Sequence, residues 1–229
     1  NGLSCYRPDA KILTFALGTG KRVFGFPVHH RQNPFPRMST QVLNGLDKLA
    51  RKIPGLIAHH AEFDLEWCIH FLGNDFAYAT EIEDSEAQAY VLARTPKSLD
   101  ALVRRFLGFS LKRMNPLDKK RLDEYPLDKV LGYNCLDTKY THMIWEEQKK
   151  LIQEQGLAYI YEMQKFRIPA LCVMQARGIV PNFEAIERQL VKVKIRLQEL
   201  DQELLAYPEV QSHISRYKQF LPMSCHPVS

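Results

Sequence analysis

Apolar and polar positions alternate near the start of the chain and recur at helical spacing further along. "KILTFALG" and "RVFGFPV" are β-rich runs separated by Thr19-Gly20, so residues 11 to 28 are expected to form a hairpin. After the proline-containing "HHRQNPFPRM", Val42, Leu46 and Leu49 mark a helix that Ser39 or Thr40 can cap and Pro54-Gly55 ends. "GLIAHH" has the character of a buried strand, "EFDLEWCIHFLG" of a helix closed by Gly73, and "AYATEI" of another strand. Helices are predicted from about Ser85 to Arg94 and from Ser98 to Leu107, and Pro126 suits the first turn of a third. Strands interleaved with helices predict an α/β domain that ends near Gly156.

Beyond Gly156 the pattern is helical only. "LAYIYEMQKFRIPALCVMQARG" predicts a helix bent at Pro169 and stopped by Gly178. Asn182 can cap a longer one in which Ile186, Leu190, Val193, Leu197, Leu200 and Leu204 recur at four-three spacing, a seam for packing against another helix. Residues 157 to about 206 are therefore expected to form a helical hairpin, giving two domains, 1–156 and 157–229. The tail "FLPMSCHPVS" shows no capping element. No run approaches the length of a membrane span, and the opening "NGLSCYRPDAKI" lacks the pattern of a signal peptide. The five cysteines are scattered without a C-x-x-C pair, so a reducing compartment fits best.

The helix containing "GYNCLDTKYTHMIW" carries an anomaly. Val130, Tyr133, Asp137, Tyr140 and Ile144 fall on one side, which puts a carboxylate inside an apolar stripe. Such a charge needs a cation, a metal ion or a hydrogen-bonding network. A second acid, Asp64, lies where a strand passes into a helix. Two carboxylates facing one cleft repel each other unless a divalent cation lies between them, and hard oxygen ligands suit Mg²⁺ or Mn²⁺. A pair of such ions on phosphate oxygens supports phosphodiester cleavage, with Tyr133 beside the attacking water. Taken singly, Asp64 equally suits a first-turn helix charge, and Asp137 a buried salt bridge to an arginine.

Net charge is +5. Its distribution says more: in "RRFLGFSLKRMNPLDKKR" the cations Arg104, Arg105, Lys112, Arg113, Lys119, Lys120 and Arg121 are opposed only by Asp118. That is the form of a phosphate-tracking surface, and also of a solvated loop.

Order along the chain adds to these single signals. "HHAEFD", then "DSEAQAYVL" and "SLDALVRRFLG", then "YNCLD", resemble in sequence and spacing the 3′-5′ exonuclease domain of family A DNA polymerases, in the DEDDy branch of the RNase H-like exonucleases. "YEMQKFRIPALCVMQARGIVPN" is similar to the stretch leading from that domain into the polymerase thumb. The resemblance covers nearly the whole chain except the last twenty or so residues. It implies an RNase H-like mixed sheet flanked by helices, then an α-helical hairpin that opens the thumb. Asp64 and Asp137 would be metal-binding carboxylates in a two-metal site for Mg²⁺ or Mn²⁺, and Tyr133 would position water. His60 and Phe63 would lie near the substrate's terminal nucleotide, with the basic residues along the nucleic acid. The implied partner is DNA, as single-stranded 3′ ends of a primer-template, in the cytoplasm of a bacterial cell or phage-infected host.

Three departures qualify this. His60 replaces the family's asparagine, and Asn182 replaces an aspartate but keeps a capping oxygen. The first motif, D-x-E, supplies two of the family's four acids, and "NGLSCY" begins one or two residues downstream of its place. The first central strand would then be largely missing, leaving unpaired backbone on both neighbours. The expectation is a fragment of a longer polymerase, cut at both ends, with little or no nuclease activity of its own. Competing expectations are an RNase D-like 3′-5′ exoribonuclease, which shares Y-x-x-x-D, and a degenerate exonuclease fold acting as a non-catalytic nucleic-acid-binding module.

Overall fold

Alternation in the first apolar runs becomes strands β1 (Thr14–Gly18) and β2 (Val23–Pro27), antiparallel, with Thr14 opposite Pro27 and Gly18 opposite Val23. The computed structural model describes residues 4–114 and 116–218. Helix α1 (Ser39–Ala50) buries Leu43 and Ala50. Ser39 does not cap it. Its hydroxyl donates instead to the carbonyls of Val28 (2.5 Å) and Pro36 (3.0 Å), tying the helix start to the end of the hairpin.

Strand β3 (Gly55–Ala58) leads into α2 (Ala61–Leu72), which Gly73 ends with φ 105, a value that suits glycine. The chain returns as β4 (Glu81–Asp84), parallel to β3 with Ala58 beside Asp84. The strand expected over "AYATEI" is displaced. Phe76 and Ala77 are buried in a 3-10 turn, Asn74–Tyr78, so their apolarity serves the core and not a ladder. Then follow α3 (Ser85–Val91), α4 (Leu99–Leu107), the single turn α5 (Leu111–Met114), a 3-10 stretch Lys119–Glu124, and the long α6 (Leu127–Glu154). Helix α7 (Ala158–Arg177) accommodates Pro169 in its interior.

The four strands form two ladders, β1-β2 and β3-β4, and no ladder joins them among the described residues. Helix α6 packs on both. Close approach to the hairpin depends on glycine: a Cβ at Gly25 would meet Cys135 Sγ at 3.1 Å and Leu131 at 3.2 Å, and one at Gly18 would meet Thr138 at 3.1 Å. The core under β3 and β4 is built from Leu65, Ile69, Phe76, Ile82, Ile168 and Cys172. Ala89, Leu102, Val103, Leu111 and Ile144 form a second cluster. This is a mixed α/β fold consistent with the RNase H-like exonuclease architecture, followed by helices.

Packing divides the chain after Gly178. The change of pattern at Gly156 suggested an earlier boundary, but α7 buries Ile168 and Cys172 against α2 and so continues the first unit. The second unit holds α8 (Phe183–Ala206), capped by Asn182, whose side chain accepts from Ala185 N at 3.0 Å, and α9 (Pro208–Lys218). The predicted seam from Ile186 to Leu204 is exposed among the described residues. No described helix is long and apolar enough to cross a membrane. The tail "FLPMSCHPVS", with Cys225, lies outside the described residues, and the other four cysteines are free.

Candidate functional site

Between β3 and α2 the chain turns sharply through His60, whose φ of 63° and ψ of 56° are left-handed, a conformation that costs a non-glycine residue roughly 1–2 kcal/mol. One carboxylate holds it there. Asp84 Oδ1 accepts from His60 N (3.0 Å) and Glu86 N (2.8 Å), and Oδ2 accepts from Ala61 N (3.0 Å). Asp84 thus caps α3 and clasps the start of α2. Its own N–H donates to the Tyr161 hydroxyl (3.1 Å), which donates to Glu83 Oε2 (2.7 Å). Trp145 Nε1 donates to the same oxygen at 3.0 Å, and Lys165 Nζ to Oε1 at 2.9 Å. The turn that carries Asp64 is therefore braced from β4, α6 and α7.

Asp64 lies in the first turn of α2 and is exposed to solvent. Its pKa is raised to about 6, first by desolvation, then by the charges of Asp84 and, more weakly, Asp137, with His60 and Lys119 opposing. The Asp137 carboxyl is also raised, by burial, while the nearby Tyr133 hydroxyl and the charge of Lys119 hold it down. Tyr133 is pushed above the usual phenol range by burial and by Asp137, so it remains a neutral O–H at neutral pH. Nearby His59, hydrogen-bonded through Nδ1 to Ser85 Oγ (2.9 Å), is pushed down to about 4 by burial, with Asp84 opposing and His60 and Lys119 adding. Val130 and Ile144 are fully buried above and below Asp137 on its stripe.

The charges of Asp137 and Lys119 reach Asp64, and that of Lys119 also reaches Asp137. No arginine pairs with Asp137 among the described residues. Lys119 Nζ lies 5.7 Å from the Tyr133 ring centroid, and its charge reaches Asp64, Asp137 and His59. Phe63 is 38% exposed beside Asp64, its ring 6.2 Å from that of Trp67. His60 turns to Glu86, Nδ1 to Oε2 2.6 Å, and lines a hollow of about 300 Å³ whose walls include neither Asp64 nor Asp137.

The other cations differ in their partners. Arg104 pairs with Asp100 at 2.9 Å, Arg105 donates to the Thr95 carbonyl at 3.2 Å, and Arg121 pairs with Glu124. Lys112, Arg113 and Lys120 are exposed. Asp84 is the residue that reading the sequence did not single out. Its signal was present: an aspartate followed by Ser-Glu ahead of a helix is a capping pattern.

Asp64 and Asp137 offer the hard oxygens that Mg²⁺ and Mn²⁺ take, and their mutual repulsion is what a cation would relieve. Among the described residues no group of three His, Cys, Asp or Glu side chains surrounds a common point. Two carboxylates still fit an ion that completes its shell with water and substrate phosphate.

Two comparisons identify the family. A family model described as 3′-5′ exonuclease, of the DNA polymerase A type, matches residues 1–153. The chain is also 23% identical to DNA polymerase DpoZ of Vibrio phage phiVC8 over 60% of its own length, an alignment that spans 26% of that relative. With a match over most of its length, the chain belongs to the 3′-5′ exonuclease family of the A-type DNA polymerases.

Proposed function

We propose that this chain is the proofreading part of a DNA polymerase: it takes frayed single-stranded 3′ ends and hydrolyses the terminal phosphodiester with divalent metal, Mg²⁺ or Mn²⁺. The observation that supports the reading is that the charge of Asp137, on a distant helix, reaches Asp64 at a strand-to-helix turn, with Tyr133 one helical turn before Asp137. Asp64 and Asp137 would hold the metal, which supplies Lewis-acid stabilisation of phosphate charge and an activated water. Tyr133, one helical turn before Asp137, would orient that water through its hydroxyl. Its raised pKa keeps it from acting as the base. The exposed ring of Phe63 offers a face on which a terminal base can stack. The helices beyond Gly178 would open the polymerase thumb, and the phage relative supports a bacterial or phage-infected cytoplasm as the setting.

The test is Mn²⁺-dependent degradation of 3′-mismatched DNA, by the 229 residues alone and by the same residues joined to a preceding strand that carries D-x-E. Turnover is expected with the added strand and little or none without it. Asp137→Ala in the longer protein should lower the rate at least about a hundredfold, the scale for losing a group that acts in the transition state. Undiminished activity in that variant would remove Asp137 from the chemistry. The lack of a three-ligand cluster among the described residues favours one second reading, a binding module without catalysis. It predicts DNA binding with no degradation even when D-x-E is supplied.

A further inference from the structure

Seven cations stood as equals in the basic segment, and the fold separates one of them. Lys119 opens the 3-10 stretch, and its root is fixed: Asp118 Oδ1 accepts from Lys120 N at 2.9 Å, Arg121 N donates to Asp118 O at 3.0 Å, and Asp118 N donates to the Tyr125 hydroxyl at 3.3 Å. The far end is anchored too. Gln32 Oε1 accepts from Leu127 N at 2.9 Å, and Arg31 donates to the Glu124 carbonyl. From this base the Lys119 side chain lies over the Tyr133 ring, with Nζ 5.7 Å from the centroid.

Its charge reaches Asp64 on α2, Asp137 on α6 and His59 at the end of β3, three groups from three elements. Yet no carboxylate lies within ion-pair distance of Nζ among the described residues, whereas Arg104 and Arg121 are each paired at home. An exposed ammonium held over the Tyr133 ring, and bonded to neither acid, still has its three donors to offer. A phosphate entering between those acids and the Tyr133 hydroxyl brings the acceptor oxygens that this position lacks.

We propose that Lys119 is a substrate-contacting residue of this cleft, its ammonium bonding a non-bridging oxygen of the 3′-terminal phosphodiester. The assignment rests on the phosphodiester reading above and narrows it to one cation and one linkage. Lys120, next in sequence, then belongs to general backbone attraction along the strand.

The experiment uses the 229-residue chain and a short single-stranded DNA, followed by fluorescence anisotropy with Ca²⁺, a hard cation that carboxylates accept. The 3′-terminal linkage is either the normal diester or a neutral methylphosphonate. In the native protein the neutral linkage should weaken binding about tenfold, the scale of a hydrogen bond to a charged group. Lys119→Ala should bind the diester about tenfold more weakly and show at most about a twofold further loss on neutralising it, the coupling expected when one contact has been removed from both sides. Lys120→Ala should lose affinity while keeping the tenfold ratio. Thermal unfolding of each variant at the native temperature shows that the exposed substitutions leave the fold intact. A neutral-linkage penalty that survives undiminished in Lys119→Ala, or is missing from the native protein, overturns the assignment and leaves the phosphodiester reading standing. Failure of the native protein to bind the DNA at all overturns both.

Discussion

The Asp84 carboxylate accepts three amide hydrogens, from His60, Ala61 and Glu86, and so commits both oxygens to backbone. Half of that role is local and legible in the sequence, because Asp-Ser-Glu before a helix signals an N-cap. The other half follows from the parallel register that sets Asp84 beside Ala58, which no local pattern reveals. Asp137 was legible for the opposite reason: a charge on an apolar stripe is conspicuous wherever it points. Lys119 was not, since six other cations share its segment and only the tertiary fold puts it over Tyr133. His59 gives a prediction at this scale. Burial lowers its pKa from 6.5 to about 4, so as pH falls through that window the unfolded chain takes up a proton that the folded chain refuses. Stability should therefore decline between pH 6.5 and about 4. In urea titrations His59→Gln should show a shallower decline over that window than the native protein, and parallel curves would refute the contribution.

At the scale of elements, the site depends on how three helices are pinned. Tyr161 joins α7 to β4 by accepting from Asp84 N and donating to Glu83. Tyr161→Phe strands a buried amide and should cost about 1–3 kcal/mol, measured as a shift in urea midpoint at constant slope. Gly25 acts through what it lacks, because the missing side chain lets the hairpin lie against Leu131 and Cys135 of α6. Gly25→Val would push β2 away from the helix that carries Tyr133 and Asp137, at about 1–3 kcal/mol of overpacking, and the same titration checks it. Periodicity made the hairpin and most helices readable. The misplaced strand at "AYATEI" shows its limit, because a buried 3-10 turn and a buried strand present the same apolar run. Helix α7 was read correctly as a helix but assigned to the later unit, since an apolar face does not say which neighbour will cover it.

Across the molecule, the two ladders have no backbone pairing between them among the described residues, and β3 is paired on one flank only. Its amides should divide accordingly in hydrogen exchange followed by NMR: those facing β4 protected, and alternate ones exchanging at rates near those of loops. Uniform protection along Gly55–Ala58 would show that the open flank is covered. Asp64 travels with β3, β4 and α2, and Asp137 with α6, which lies on both ladders. A splint, not a continuous weave, therefore sets the gap between the two acids. Small rocking of that one rod would alter their spacing, so the rigidity of the candidate site is borrowed from the seat of a single helix.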